Sequence, residues 1–106
     1  MSERIQAIVA ELRRRLEVLY GPRLVRLVLY GSQARGEAEM GSDIDVLIVL
    51  KGAVLPGEEI ARTSHIIAEL SLEHNVVLSR AFVSTARFEH ERSPILMNVR
   101  REGITV

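Results

Sequence analysis

The sequence predicts a small α/β (α+β) domain: helices packed on a mixed β-sheet of three or more strands. Three observations predict it. An apolar stripe with helical spacing opens the chain, from residue 2 to 20. Two short runs rich in Val, Leu and Ile follow at 24–30 and 44–50, each the length of a strand. A second helical pattern then leads to a third apolar run, giving the order α-β-β-α-β-α. The 106 residues suit one domain, 1–106, and the 47% hydrophobic content can fill one core.

Each element has a local cause. In the first helix Ile5, Ile8, Val9, Leu12, Leu16 and Leu19 fall on one face. Ser2 is its expected N-cap, and Gly21-Pro22 ends it. Leu24 to Tyr30 reads as a strand ended by Gly31. Ile44 to Leu50 is apolar almost throughout, as a central strand covered on both faces should be. Lys51-Gly52 and Pro56-Gly57 bracket a turn before a helix from Glu58 to about Glu73, with Ile60, Ile67 and Leu70 inward. Val76 to Val83 is the third strand. Ser93-Pro94 opens a last short helix, closed by Gly103, whose Ile95, Leu96 and Val99 are expected to dock on the sheet.

Composition removes several function classes. Lys+Arg and Asp+Glu balance at 14 each, so bulk charge points neither to nucleic acid nor to an anionic membrane. With no cysteine there is neither a disulfide scaffold nor a zinc-thiolate site. His65, His74 and His90 lack metal-ligand spacing. The longest apolar run, Val46 to Leu50, is too short to span a bilayer, and Met1-Ser2-Glu3-Arg4 runs straight into the first helix. A soluble cytoplasmic protein is the expectation. An exposed sheet edge in so small a domain makes a homo-oligomer plausible.

The chemistry concentrates in two short segments. At the end of the first strand stands Tyr30-Gly31-Ser32-Gln33-Ala34-Arg35-Gly36. A glycine there lets the backbone turn sharply and approach a ligand closely. The Ser32 hydroxyl and the following N–H groups can hold phosphate oxygens, above all if 32–35 forms a helical turn, and Arg35 can add a fork of donors. A P-loop is excluded, because Glu37 follows Gly36 where Lys is required. At the start of the second strand stand Asp43 and Asp45, the only two aspartates among 14 acidic residues. Two apart in a strand, they point the same way, and their repulsion is relieved by a cation between them. Magnesium suits an all-oxygen site that shares ligands with phosphates.

Gly31-Ser32, ten residues, then Asp43-Ile44-Asp45 resembles the signature of the polymerase-β-like nucleotidyltransferase superfamily, and the text around it is similar to the minimal nucleotidyltransferase branch. The resemblance implies that superfamily's fold and transfer of a nucleoside monophosphate from ATP or another NTP, with Mg2+. Gly31, Ser32 and Arg35 would hold the triphosphate; Asp43 and Asp45 would be the catalytic carboxylates and metal ligands. It also implies a helical partner of the HEPN type, toward which such domains act as antitoxins, some by adenylylating the partner's tyrosine. Active members carry a third carboxylate on the next strand, as base and metal ligand. Here Asn75 to Val83 contains no acid; the expected position falls near Val77, flanked by Asn75 and Ser79. Glu73 or a partner residue remains to complete the site. Three readings therefore stand: a protein adenylyltransferase, a nucleotide-binding antitoxin that acts by complex formation, or a nucleotide sensor or accessory subunit of a larger transferase.

Other residues read as bland. Tyr30 faces either nucleotide or core. His74 and Arg100-Arg101 suit helix C-termini. Arg13-Arg14-Arg15 and His65 read as solvated helix faces.

Overall fold

The computed structural model describes residues 2–36 and 43–106. Ser2 caps the first helix, α1 (Glu3–Tyr20), by accepting the Ile5 N–H on its hydroxyl, which satisfies one of the four free donors of a helix start. Ile5, Ile8, Val9, Leu12 and Leu16 are buried as their spacing predicts. Leu19 is not: it sits at the edge of the stripe, and the next residue, Tyr20, turns inward instead. A single 3-10 turn at 21–23 leads into β1 (Leu24–Tyr30). One helical turn, α2 (Ser32–Arg35), follows the strand. Then come β2 (Ile44–Leu50), α3 (Pro56–His74), β3 (Leu78–Ser84), α4 (Thr85–His90), α5 (Pro94–Glu102) and β4 (Ile104–Thr105).

The sheet has the order β3-β2-β1-β4. β2 is central, antiparallel to β1 and parallel to β3, so the sheet is mixed. α3 is the crossover that a parallel pair requires. β4 pairs antiparallel with β1 at the other edge.

Alternation along the strands builds two cores. On one face Leu27, Leu29, Ile44, Val46 and Ile48 meet α1 and α3. On the other, Val28, Leu47, Val49 and Val83 meet Phe88 of α4 and Leu96 and Val99 of α5. Among the described residues every buried side-chain N or O atom has a partner, and no helix is long and apolar enough to cross a membrane.

Besides Leu19, two apolar residues expected inside lie outside. Ile60 is 45% exposed, because α3 starts at Pro56 and buries Glu59, Thr63, Ile66, Ile67 and Leu70. Glu59 is tolerated there by a hydrogen bond from the Tyr20 hydroxyl (2.9 Å) and by Arg23 and Arg62 at 3.6 and 3.7 Å. Thr63 receives Arg80 Nε and donates to the Glu59 carbonyl. An apolar-only pattern skips this polar stripe. Ile95 is 54% exposed, one position off the Leu96–Val99 stripe of α5. Ser93 precedes α5 as expected, but its hydroxyl donates to Glu91 rather than capping the helix.

Candidate active site

Asp45 is the second residue of β2. Its cross-strand neighbours are Tyr30 on β1 and Ser79 on β3. Asp43 lies just before the strand and is exposed. The intervening Ile44 donates its N–H to the Val77 carbonyl (2.9 Å), and Ile44 pairs with Leu78, so Asp43 stands level with Val77. Alternation puts both carboxylates on the α4/α5 face of the sheet. Asp45 is half-buried. Burial, and then the charge of Asp43, hold its carboxyl above the usual carboxylate range. Burial and Asp45 together push the Tyr30 phenol up as well.

The loop after β1 meets this pair directly. Gly31 has φ +75°, and a Cβ built on it would lie 2.6 Å from Asp45 Oδ2. No other residue fits both the backbone angle and the approach. Its carbonyl accepts the Arg35 N–H (3.2 Å), which closes the single turn of α2. The helical turn expected over 32–35 is thus present, with Ser32 half-buried at its start. Arg35 points to α5, where Glu102 Oε2 lies 3.8 Å away. Between the loop and α5 is a cleft of about 320 Å³ lined by Tyr30, Gly31, Arg35, Asn98 and Glu102, among others.

The β2–β3 register settles what stands beside the carboxylates. On their face of β3 and the residues leading into it are Val77, 56% exposed, and Ser79; neither is acidic. Glu73 occupies the last turn of α3, the helix that covers the opposite face. Among the described residues no three His, Cys, Asp or Glu side chains are gathered as a metal site. Asp43 and Asp45 fit a hard divalent cation that completes its shell with phosphate and water oxygens. The raised Asp45 carboxyl is the electrostatic conflict such an ion relieves.

The remaining basic candidates have other partners. Arg13 and Arg15 pair with Glu17 and Glu69, and Arg14 with Glu11. Arg100 donates to the Phe88 and Glu91 carbonyls, tying α5 to α4. Arg101 donates to Asn98. His74 sits in the last turn of α3, where a cation is favoured. Asn98 and Glu102, which line the cleft, fall in the tail segment Asn98–Gly103 that resembles small members of the family, but their spacing says only that they share a helix face.

Against known proteins, the nucleotidyltransferase domain family matches residues 9–100. A Methanocaldococcus jannaschii protein, provisionally named a protein adenylyltransferase, is 31% identical over 72 residues, 68% of this chain and 72% of the relative. In fold the chain is similar to a crystal structure of a toxin-antitoxin with AMP-PNP (TM-score 0.60, 18% identity, 93% of this chain and 69% of that one). It is equally similar to a protein of Sulfolobus solfataricus, provisionally a nucleotidyltransferase (TM-score 0.62, 19% identity, 99% and 86% covered).

Proposed function

This chain belongs to the nucleotidyltransferase domain family, and from that premise we propose that it transfers AMP from ATP to a protein hydroxyl. One observation carries the reading: the Gly31 turn lies against the Asp45 carboxylate, so a phosphate held by the loop must lie beside the carboxylate pair. The acceptor oxygen forms a bond to the α-phosphorus, the bond to the bridging oxygen breaks, and pyrophosphate leaves with its electron pair. Gly31 and Ser32 hold the anionic tail, with Arg35 swinging from Glu102 to join them. Asp43 and Asp45 would hold magnesium, which supplies charge neutralisation at the phosphates. The acceptor's proton passes to solvent water or to a base that the partner supplies, since Val77 and Ser79 offer none.

The relative's name favours a protein acceptor, and the toxin-antitoxin neighbour favours an antitoxin working with a partner in the cytoplasm. We take that partner to be of the helical HEPN type, its tyrosine the acceptor. The test is incubation with labelled ATP, magnesium and the candidate partner. Labelled partner is expected, lost on EDTA addition; an unlabelled partner at full nucleotide occupancy would sink the enzyme reading.

The bare β3 positions favour a second reading, a nucleotide-binding antitoxin that neutralises by complex formation. It predicts that Asp43→Asn with Asp45→Asn still neutralises the partner. Loss of neutralisation in that double variant rules it out.

A further inference from the structure

A second cleft, of about 370 Å³, opens on the same sheet face as the carboxylates. Its walls are largely apolar: Leu47 and Ala81 from the strands, Ile95 from α5 and the Tyr30 ring at the mouth. Glu91 and Ser93 stand at its polar end. Tyr30, Ile95 and Val99 line both clefts, so the two adjoin along these residues. Leu47 is two residues beyond Asp45 on one strand face, and Ala81 two beyond Ser79, which places the slot about 7 Å from the carboxylate level. Each cleft reaches the lower bound of about 300 Å³ for ligand sites.

We infer that this slot takes the nucleobase of the bound NTP, and that Glu91 selects a base bearing an amino group. The inference rests on the nucleotide-transfer reading above and extends it. An anionic tail in the first cleft and a flat apolar ring in the second require one extended ligand bent over Tyr30, which is the shape of a nucleoside triphosphate. The polar end is chemically specific. Arg87 gives two hydrogen bonds to the Glu91 carboxylate, both 3.0 Å, and the Ser93 hydroxyl a third at 3.1 Å. A carboxylate has about four lone-pair positions, so one acceptor position remains. It accepts from an exocyclic amine, as adenine presents, and repels the carbonyl that uracil presents at the same edge. The half-exposed Ile95 gains an apolar partner that the fold itself does not provide.

The test compares binding of ATP, UTP and inorganic tripolyphosphate, with magnesium, by calorimetry on the whole chain. Ala81→Leu fills the slot; Ile95→Ser removes its wall at an exposed position where folding is not at stake. Each is expected to weaken ATP about tenfold, the worth of one stacked base; Ala81→Leu, which lies outside the first cleft, should leave tripolyphosphate unchanged. Glu91→Gln should shrink the preference for ATP over UTP. If tripolyphosphate binds but ATP affinity is unmoved in both slot variants, the slot assignment falls and the transfer reading stands. Loss of tyrosine labelling without loss of ATP affinity would place the acceptor ring there and equally overturn it. An unchanged ATP-to-UTP ratio in Glu91→Gln removes the role of Glu91. If wild type binds neither ATP nor tripolyphosphate, the nucleotide reading fails, and the slot with it.

Discussion

On the face covered by α1 and α3, Ile8, Leu12, Leu16 and Leu70 are fully buried, and Glu59, the one buried acid among the described residues, receives a hydrogen bond and two cations. On the opposite face, α4 and α5 cover Leu47, Val49 and Val83 but leave Asp43 exposed, Asp45 half-buried and two clefts open beside them. The same strands serve both, since alternation sends Val46 and Ile48 one way and Asp45 and Leu47 the other. The difference teaches where each kind of free energy resides. Apolar burial holds the fold from one side. On the other, burial and the charge of Asp43 hold the Asp45 carboxyl above its usual range, a stability cost of the kind met at functional sites.

The largest effect should come from damaging the closed face. Leu12→Ala leaves a cavity and is expected to cost about 2–5 kcal/mol in urea unfolding, while nucleotide affinity per folded molecule stays unchanged. If affinity falls in step with stability, the two faces are not separable.

Next is Asp45→Asn, which should act with opposite signs on stability and function. Outer-shell metal partners are worth about 10–100-fold, so on the proposed function, in which Asp45 is a direct ligand, its loss should lower AMP transfer by about 100-fold or more. The metal-free protein should nonetheless melt at a higher temperature, because a desolvated carboxylate and its repulsion with Asp43 are both removed. A lower melting temperature would show that Asp45 is already structurally satisfied.

Gly31→Ala should cost about 1–3 kcal/mol for the backbone alone, because φ +75° with ψ −155° is a region open essentially to glycine only, and its Cβ must displace Asp45. Metal affinity and stability should therefore fall together, unlike in Asp45→Asn.

The smallest effect is the pH dependence. Folded Asp45 binds its proton more tightly than in the unfolded chain. Protonated Asp45 thus favours the native state, and that contribution fades as pH rises through the raised value. Metal uptake needs the ionised form, so affinity falls as pH drops through the same value. The fall should begin at higher pH than for an ordinary aspartate, and Asp43→Asn should move it downward. A fall centred on the ordinary value would show that burial of Asp45 is not felt in solution.

Much of the architecture was legible because its causes are local. β1 and β2 fall at the residues their apolar runs mark, and Ser2 caps α1 as its type and position suggest. Gly31, Ser32, Asp43 and Asp45 were legible because strand alternation and one turn bring them together over a short stretch. What stayed hidden depends on contacts between distant parts of the chain. Glu59 reads as a solvated helix residue until Tyr20 and Arg23 are placed beside it. β4 has two residues, too few for a pattern, and exists because Val28 and Leu29 offer it a free edge. α4 hides behind the strand-like Val83-Ser84; its only local mark is Ser84, which caps it by accepting the Arg87 N–H. The approach of Arg35 to Glu102 follows from how α5 lies across the sheet.

That placement of α5 turns on Gly103. A Cβ there would stand 2.5 Å from both Val28 Cγ1 and the Val99 carbonyl oxygen, so the chain crosses β1 at closest approach before entering the two exposed residues of β4. Such a short edge strand holds its amides weakly, and segments of this kind exchange with solvent through local openings far cheaper than global unfolding. Release of β4 would also have to undo Val106, which donates to the Leu27 carbonyl and accepts from Arg13 of α1, before α5 could lift, open both clefts and part Glu102 from Arg35. The amides of β4 and α5 should then exchange fastest among the described elements around the site, and a bound nucleotide should slow them. Loading and release of substrate would in that case be timed by the last dozen residues of the chain, whose Asn98 and Glu102 line the cleft beside the carboxylates.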